Sequence, residues 1–142
     1  MRVLLDTDVV LDVILARQPF AKEAAELFDL SEQGIFEAYV SAITPLTIFY
    51  IARKANAVRD LRQAIQALLQ KVGVCPVDKS ILTAAFGLRF VDYEDAVQNS
   101  SADALGLDAI VTRDVHDYKY STLPIFTPGA FLQHLKSQQD QT

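Results

Sequence analysis

A single cysteine, Cys75, stands in the whole chain, so no intramolecular disulfide can form, a pattern that suits a reducing compartment. Its neighbours Val74, Pro76 and Val77 mark it as a small buried hydrophobe rather than a reactive thiol. Histidine is nearly as scarce, with only His116 and His134, so the Cys and His donors that zinc usually takes are missing. No apolar run is long enough to cross a bilayer, and the N-terminus lacks the basic region, long apolar core and small-residue cleavage site of a signal peptide. The expectation is a soluble, cytoplasmic protein with no membrane partner. Basic residues are in the minority: 13 Lys plus Arg against 18 Asp plus Glu give a net charge of -5, which argues against broad nonspecific attraction to nucleic acid or anionic lipid. Only a local basic track remains open. Internal repeats and low-complexity linkers are absent as well.

What is present is apolar and regularly punctuated. At 142 residues with 51% hydrophobic content the chain suits one domain with a continuous core, expected over residues 1–136, with a Gln- and Ser-rich flexible tail over 137–142. Val3, Leu4 and Leu5 are too short a run for a helix but suit a strand buried on both faces. Helical spacing follows over Thr7 to about Ala16. Pro19 starts a second helix with a stripe of Phe20, Ala24, Leu27 and Phe28, ending near Gly34. Ala38 to Ser41 reads as a strand, and Thr44-Pro45 as the cap and first turn of a helix on which Leu46, Phe49, Tyr50 and Arg53 share a face.

The clearest helix pattern runs from Ala57 to Val72 and closes at Gly73. Val74 to Val77 is a strand candidate that Pro76 assigns to a sheet edge. Asp78 caps a helix carrying Ile81, Leu82, Ala85 and Phe86, and Asp92 caps one in which Tyr93, Ala96, Val97, Ser100, Ala104 and Leu105 line up. Ala109 to Thr112 and Pro124 to Thr127 complete the strands, and Pro128 opens a terminal helix with Phe131, Leu132 and Leu135. Helices separate nearly all the strands, so the fold class is α/β: a three-layer α/β/α sandwich around a parallel sheet of about five strands.

Carboxylates carry the chemistry. Asp6 and Asp114 each follow a buried-strand candidate, so parallel adjacent strands would deliver both to the same sheet edge, where open α/β sheets hold their ligands. Asp95 lies in the first turn of a helix and can join them from the side, unless it serves only as the capping partner of Asp92. Asp6 and Asp114 have their own structural alternatives, a helix cap and a turn. Three hard oxygen donors suit Mg²⁺ or Mn²⁺, and Asp117 is a further candidate ligand or a loop residue. Asp12, Asp78 and Asp140 read as solvated or capping residues. Arg53, Lys54, Arg59 and Arg62 form the best basic cluster, either a solvated face or a track for a nucleic-acid backbone.

Leu4-Leu-Asp6-Thr-Asp8-Val-Val-Leu-Asp12, Asp92-Tyr-Glu-Asp95-Ala, Asp108-Ala-Ile-Val-Thr-Arg-Asp114 and Ile125-Phe-Thr-Pro128 together resemble the PIN domain family over essentially the whole chain. The resemblance implies a metal-dependent ribonuclease that hydrolyses RNA phosphodiester bonds, in many small relatives the toxin of a toxin–antitoxin pair, homodimeric and silenced by an antitoxin protein. Carried over by position, Asp6, Asp95 and Asp114 match acidic positions that hold the metal and act in catalysis. Thr47 stands where many relatives carry an acid, and Asp8 where Asn or Ser is commoner. Thr7, Asp8, Ser41, Thr47 and Thr112 are supporting candidates, and Arg53, Lys54 and Arg113 candidates for the RNA backbone.

Two other readings compete. A PIN-like module that binds RNA or an antitoxin without cutting is motivated by Thr47. Asp6-Thr-Asp8-Val-Val also resembles the nucleophile motif of haloacid-dehalogenase-like phosphatases, with Asp6 as nucleophile, Asp8 as acid and base, Ser41 and Asp114 or Asp117 in later motifs, and Lys79 or Lys119 as the lysine.

Overall fold

The computed structural model describes residues 1–56 and 59–141. Five strands, β1 (Arg2–Leu5), β2 (Glu37–Ser41), β3 (Gly73–Cys75), β4 (Ala109–Val111) and β5 (Ile125–Phe126), form one sheet in the order β3-β2-β1-β4-β5. Every neighbouring pair is parallel. The edge position of β3 agrees with the proline that follows it.

Side-chain alternation along the strands feeds two cores. Val3, Leu5, Ala38, Val40, Ala109 and Val111 enter the larger one with Val9, Val10, Leu11, Leu27, Leu68 and Phe131, from helices α1 (Thr7–Ile14), α2 (Ala21–Glu32), α4 (Leu61–Lys71) and α7 (Pro128–Asp140). Leu4, Cys75 and Ile110 face the other way, against Ala102 of α6 (Tyr93–Ala104) and Tyr118. Between them in sequence lie α3 (Thr44–Ala55) and α5 (Lys79–Ala85). Helices therefore cover both faces, the arrangement expected when every strand is buried on both sides. Burial also pushes the Cys75 thiol up to about 11, consistent with an inert hydrophobe.

The chain adds β2 and β3 on one side of β1, then crosses back to place β4 and β5 on the other. This reversal at the β1/β4 boundary is a topological switch point, where a crevice opens beyond the carboxyl ends of the strands.

Several local expectations change. The α4 pattern was expected from Ala57, which lies outside the described residues; the helix itself opens at Leu61, where the Asp60 carboxylate accepts from Gln63 N at 3.2 Å. Thr44 is not a cap: it is the first residue of α3, and its buried hydroxyl lies 3.0 Å from that of Thr7. The face of Leu46 and Tyr50 is exposed, while Ile48 and Ala52 are buried. The segment expected as a tail continues as helix to Asp140.

Candidate active site

β1 ends at Leu5, which is in register with Val111 of β4, so Asp6 and Thr112 leave the sheet side by side. Asp6 N donates to Val111 O at 2.9 Å, holding the residue at the strand exit before α1 begins. Its carboxylate is 4% exposed and fully engaged by neutral donors: Thr112 Oγ1 donates to Oδ2 at 2.7 Å and Gln98 Nε2 to Oδ1 at 2.9 Å. Burial pushes Asp6 up to about 6 against the lowering effect of these two bonds, with the nearby charge of Asp8 adding to the rise.

α6 brings the next acid. Asp92 caps this helix as expected, accepting from Asp95 N at 2.9 Å. Asp95 is pushed up to about 8, first by burial and then by the charges of Asp6, Asp92 and Asp117. Tyr118 OH donates to Asp95 Oδ1 at 3.4 Å, and Gln98 Nε2 also points toward that oxygen at 3.5 Å. Glu94, beside it, is raised by burial and moderated by a hydrogen bond from Thr47.

Gln98 and Tyr118 are the residues that the sequence did not announce. Gln98 is 1% exposed; its amide nitrogen serves Asp6, and its oxygen accepts from Thr7 N at 3.1 Å and Thr7 Oγ1 at 3.2 Å. A buried amide must satisfy both ends, and this one does so by bridging α1, α6 and the acid at the β1 exit. The available signal was its position three residues after Asp95, on the same helix face.

Asp114 and Asp117 are exposed, at and within a short 3-10 turn over Val115–Tyr118. Thr112 ties Asp114 to Asp6, because its hydroxyl also accepts from Asp114 N at 3.1 Å. Ser41 is buried, and its Oγ accepts from Ile43 N at 3.5 Å. Asp8 lies 3.9 Å from Arg17.

Two expectations need correction. Asp12 is not solvated: it is 1% exposed, with Oδ2 at 2.8 Å from Arg113 Nε. Arg113, expected to meet RNA, is held there, and its guanidinium also lies 4.0 Å from the centre of the Phe20 ring. A planar cation between a carboxylate and an aromatic face has its preferred partners already.

Every candidate donor at the sheet edge is a carboxylate oxygen, the chemistry that a hard divalent cation takes. The leading charged influences on Asp6 and Asp95 are other carboxylates, a concentration of negative charge that such a cation neutralises. Among the described residues no three Asp, Glu, His or Cys side chains stand around one point as an ion requires. The set agrees with such a cation in donor chemistry, and Asp114 and Asp117 stand exposed at and within the turn after β4.

Solved structures of the same fold include DNA-bound VapBC from Salmonella typhimurium (TM-score 0.71, 18% identity, 90% of this chain and 98% of that one). VapBC2 from Rickettsia felis bound to promoter DNA has a TM-score of 0.71 at 14% identity, over 89% of this chain and 98% of that one. FitAcB from Neisseria gonorrhoeae has a TM-score of 0.64 at 20% identity, again over 89% and 98%. No curated protein matches the chain. At these identities the structures establish the fold alone. The sequence itself goes further, for the model of the PIN domain matches residues 2–116, and the chain belongs to the PIN domain family.

Proposed function

We propose that the chain is a Mg²⁺- or Mn²⁺-dependent endoribonuclease and the toxin of a toxin–antitoxin pair. The observation that carries this reading is the meeting of Asp6 and Asp95 at the carboxyl edge of the sheet, each raised in pKa by burial and by neighbouring carboxylates. Asp6, Asp95 and Asp114, with Asp117 as a further donor, would hold the cation. Bound there, the ion would lower the pKa of an attacking water and stabilise the leaving oxygen.

The chain's own residues prepare that chemistry. Thr112 and Gln98 fix both oxygens of Asp6, so its orientation is set before substrate arrives. Thr112 couples Asp6 to the start of the Asp114 turn. Asp95 must give up its proton to serve as a ligand, which makes binding weaker at low pH. Arg53 and Lys54 lie roughly 9 Å beyond Thr47 along α3 and are the remaining candidates for the RNA backbone. The haloacid-dehalogenase-like reading falls with the family assignment, and Lys119 lies over the Tyr120 ring, 5.2 Å from its centre.

A partner is supported by a cleft of about 330 Å³ between α1, α2 and α4, lined by Val10, Val13, Ile14, Phe28 and Leu68 and rimmed by Asp29, Glu32 and Lys71. An apolar floor with a charged rim suits an amphipathic antitoxin helix. Structures of the same fold include toxin–antitoxin complexes. Leu46, Tyr50 and Phe86 are exposed and offer apolar surface for a homodimer.

A second reading, a PIN module that binds RNA or an antitoxin without cutting, is favoured by the neutral Thr47 and by the open disposition of Asp114 and Asp117. RNA cleavage by purified protein with Mn²⁺ and with EDTA separates the two. Cleavage that needs the metal and is lost in Asp6→Asn supports the nuclease; equal RNA binding under both conditions with no cleavage supports the module.

A further inference from the structure

We propose that Gln98 and Tyr118 are positioning residues, a buried pair through which one oriented chain of hydrogen bonds fixes the spacing of Asp6 and Asp95 and ties both acids to the turn that carries Asp117. The inference rests on the metal-dependent reading given above, and it concerns groups that hold the acids rather than further donors to the ion. The direction of the chain follows from atoms that have no choice. A backbone N–H can only donate, so Thr7 N turns the Gln98 oxygen toward itself at 3.1 Å and aims the amide nitrogen at the acids. Thr7 Oγ1 spends its one hydrogen on the same oxygen at 3.2 Å, which leaves the Thr44 hydroxyl to donate to Thr7. Gln98 Nε2 then has two hydrogens and three acceptors within reach: Asp6 Oδ1 at 2.9 Å, Tyr118 OH at 3.2 Å and Asp95 Oδ1 at 3.5 Å. The two nearer acceptors take them, and the hydrogen of Tyr118 OH goes to Asp95 Oδ1 at 3.4 Å. The chain thus runs from α3 through α1 and α6 and ends on both acids.

Tyr118 closes the short turn that begins at Asp114 and contains Asp117. It is 1% exposed and its ring meets that of Phe90 edge-on at 5.3 Å, so the hydroxyl has a fixed place and the turn is anchored by the same group that holds Asp95. A buried amide and a buried phenol each cost desolvation that an apolar side chain of the same size avoids. Here that cost is met where two acids need donors. The donors are neutral: among the described residues neither Asp6 nor Asp95 forms an ion pair with Lys or Arg. Neutral donors orient a carboxylate and leave its charge to a cation, whereas a guanidinium or ammonium group would compete with that cation.

Calorimetric titration of Mn²⁺ into metal-free wild type, Asp6→Asn, Gln98→Met, Tyr118→Phe and the double variant Gln98→Met/Tyr118→Phe tests this without reference to turnover. Tyr118→Phe deletes one oxygen and keeps the ring, so it remains decisive should Gln98→Met fail to fold. A folding defect lowers the fraction of chains that bind, whereas lost positioning lowers the affinity of every chain. The expected result is wild-type stoichiometry with affinity weakened about tenfold or more in Gln98→Met, a smaller loss in Tyr118→Phe, and a double variant little worse than Gln98→Met because both act through one chain. Wild-type affinity in folded Gln98→Met or in Tyr118→Phe, with binding lost in Asp6→Asn, overturns the role of the pair and leaves the metal site standing. Reduced stoichiometry at wild-type affinity makes the two structural residues and overturns the proposal too, as does a double variant whose fold-loss is the product of the two single losses. Absence of Mn²⁺ binding in wild type, or full binding in Asp6→Asn, overturns the metal-dependent reading itself, and the proposal with it.

Discussion

Asp95 and Asp6 hold their protons more tightly in the folded chain than the ordinary carboxylate value of 3.8, at about 8 and about 6. An acid raised in this way favours the folded state below its unfolded pKa, and that contribution is lost as pH rises through the folded value. Metal-free protein should therefore melt at progressively lower temperature between about pH 4 and pH 8, with Asp95→Asn removing the upper part of the decline. Saturating Mn²⁺ should offset it, since a ligand bound only by the folded state stabilises that state. A melting temperature in metal-free wild type that is flat over this window would show that the two acids are not strained. Asp6 was legible in the sequence because a carboxylate ending an apolar run is a strong contrast. Gln98 was not, because an uncharged amide inside a helix becomes informative only when its distant partners, Thr7 and Asp6, are known.

At the scale of elements, the Asp12–Arg113 pair joins α1 to the turn after β4, and the Phe20 ring ahead of α2 covers the guanidinium. Burial raises the pKa of Asp12, and Arg113 followed by Arg17 opposes the rise. Asp12→Ala would leave Arg113 without its carboxylate at 22% exposure, and should cost about 3 kcal/mol, the low end for breaking a buried pair. Urea denaturation measures it; a midpoint within error of wild type would mean that solvent replaces the carboxylate without loss. This pair explains a misreading of the sequence: Asp12 was read as solvated or capping and Arg113 as a candidate for the RNA backbone, and each has its partner in a distant part of the chain. The strands fared better, because short apolar runs between helices have few alternatives to a parallel sheet. Helix ends moved where a hydroxyl found a tertiary partner, as Thr44 did in Thr7.

For the whole molecule, a net charge of -5 means that any RNA must be guided by a local surface. Phe49, Arg53, Arg59 and Arg62 line a cavity of about 270 Å³, and Lys54 lies 4.4 Å from the centre of the Tyr50 ring, so cations and aromatic faces alternate along the α3–α4 corner. Arg53→Glu/Lys54→Glu should weaken RNA binding at least severalfold, as loss of phosphate contacts does, and leave Mn²⁺ affinity unchanged; a fluorescence anisotropy titration with unaltered RNA affinity would remove this corner from the substrate path. The family and the five-stranded sheet were readable because motif order and strand spacing extend over the chain, whereas the openness of the carboxylate set depends on loop placement that spacing cannot convey. The central claim is that the acids at the β1 and β4 exits form a metal-dependent nuclease. Its most direct test is cleavage of a defined single-stranded RNA by wild type and Asp6→Asn, each with Mn²⁺ and with EDTA. The account predicts cleavage by wild type with Mn²⁺ alone, and none by Asp6→Asn although it folds as wild type does. Metal-independent cleavage, or equal cleavage by Asp6→Asn, would contradict it.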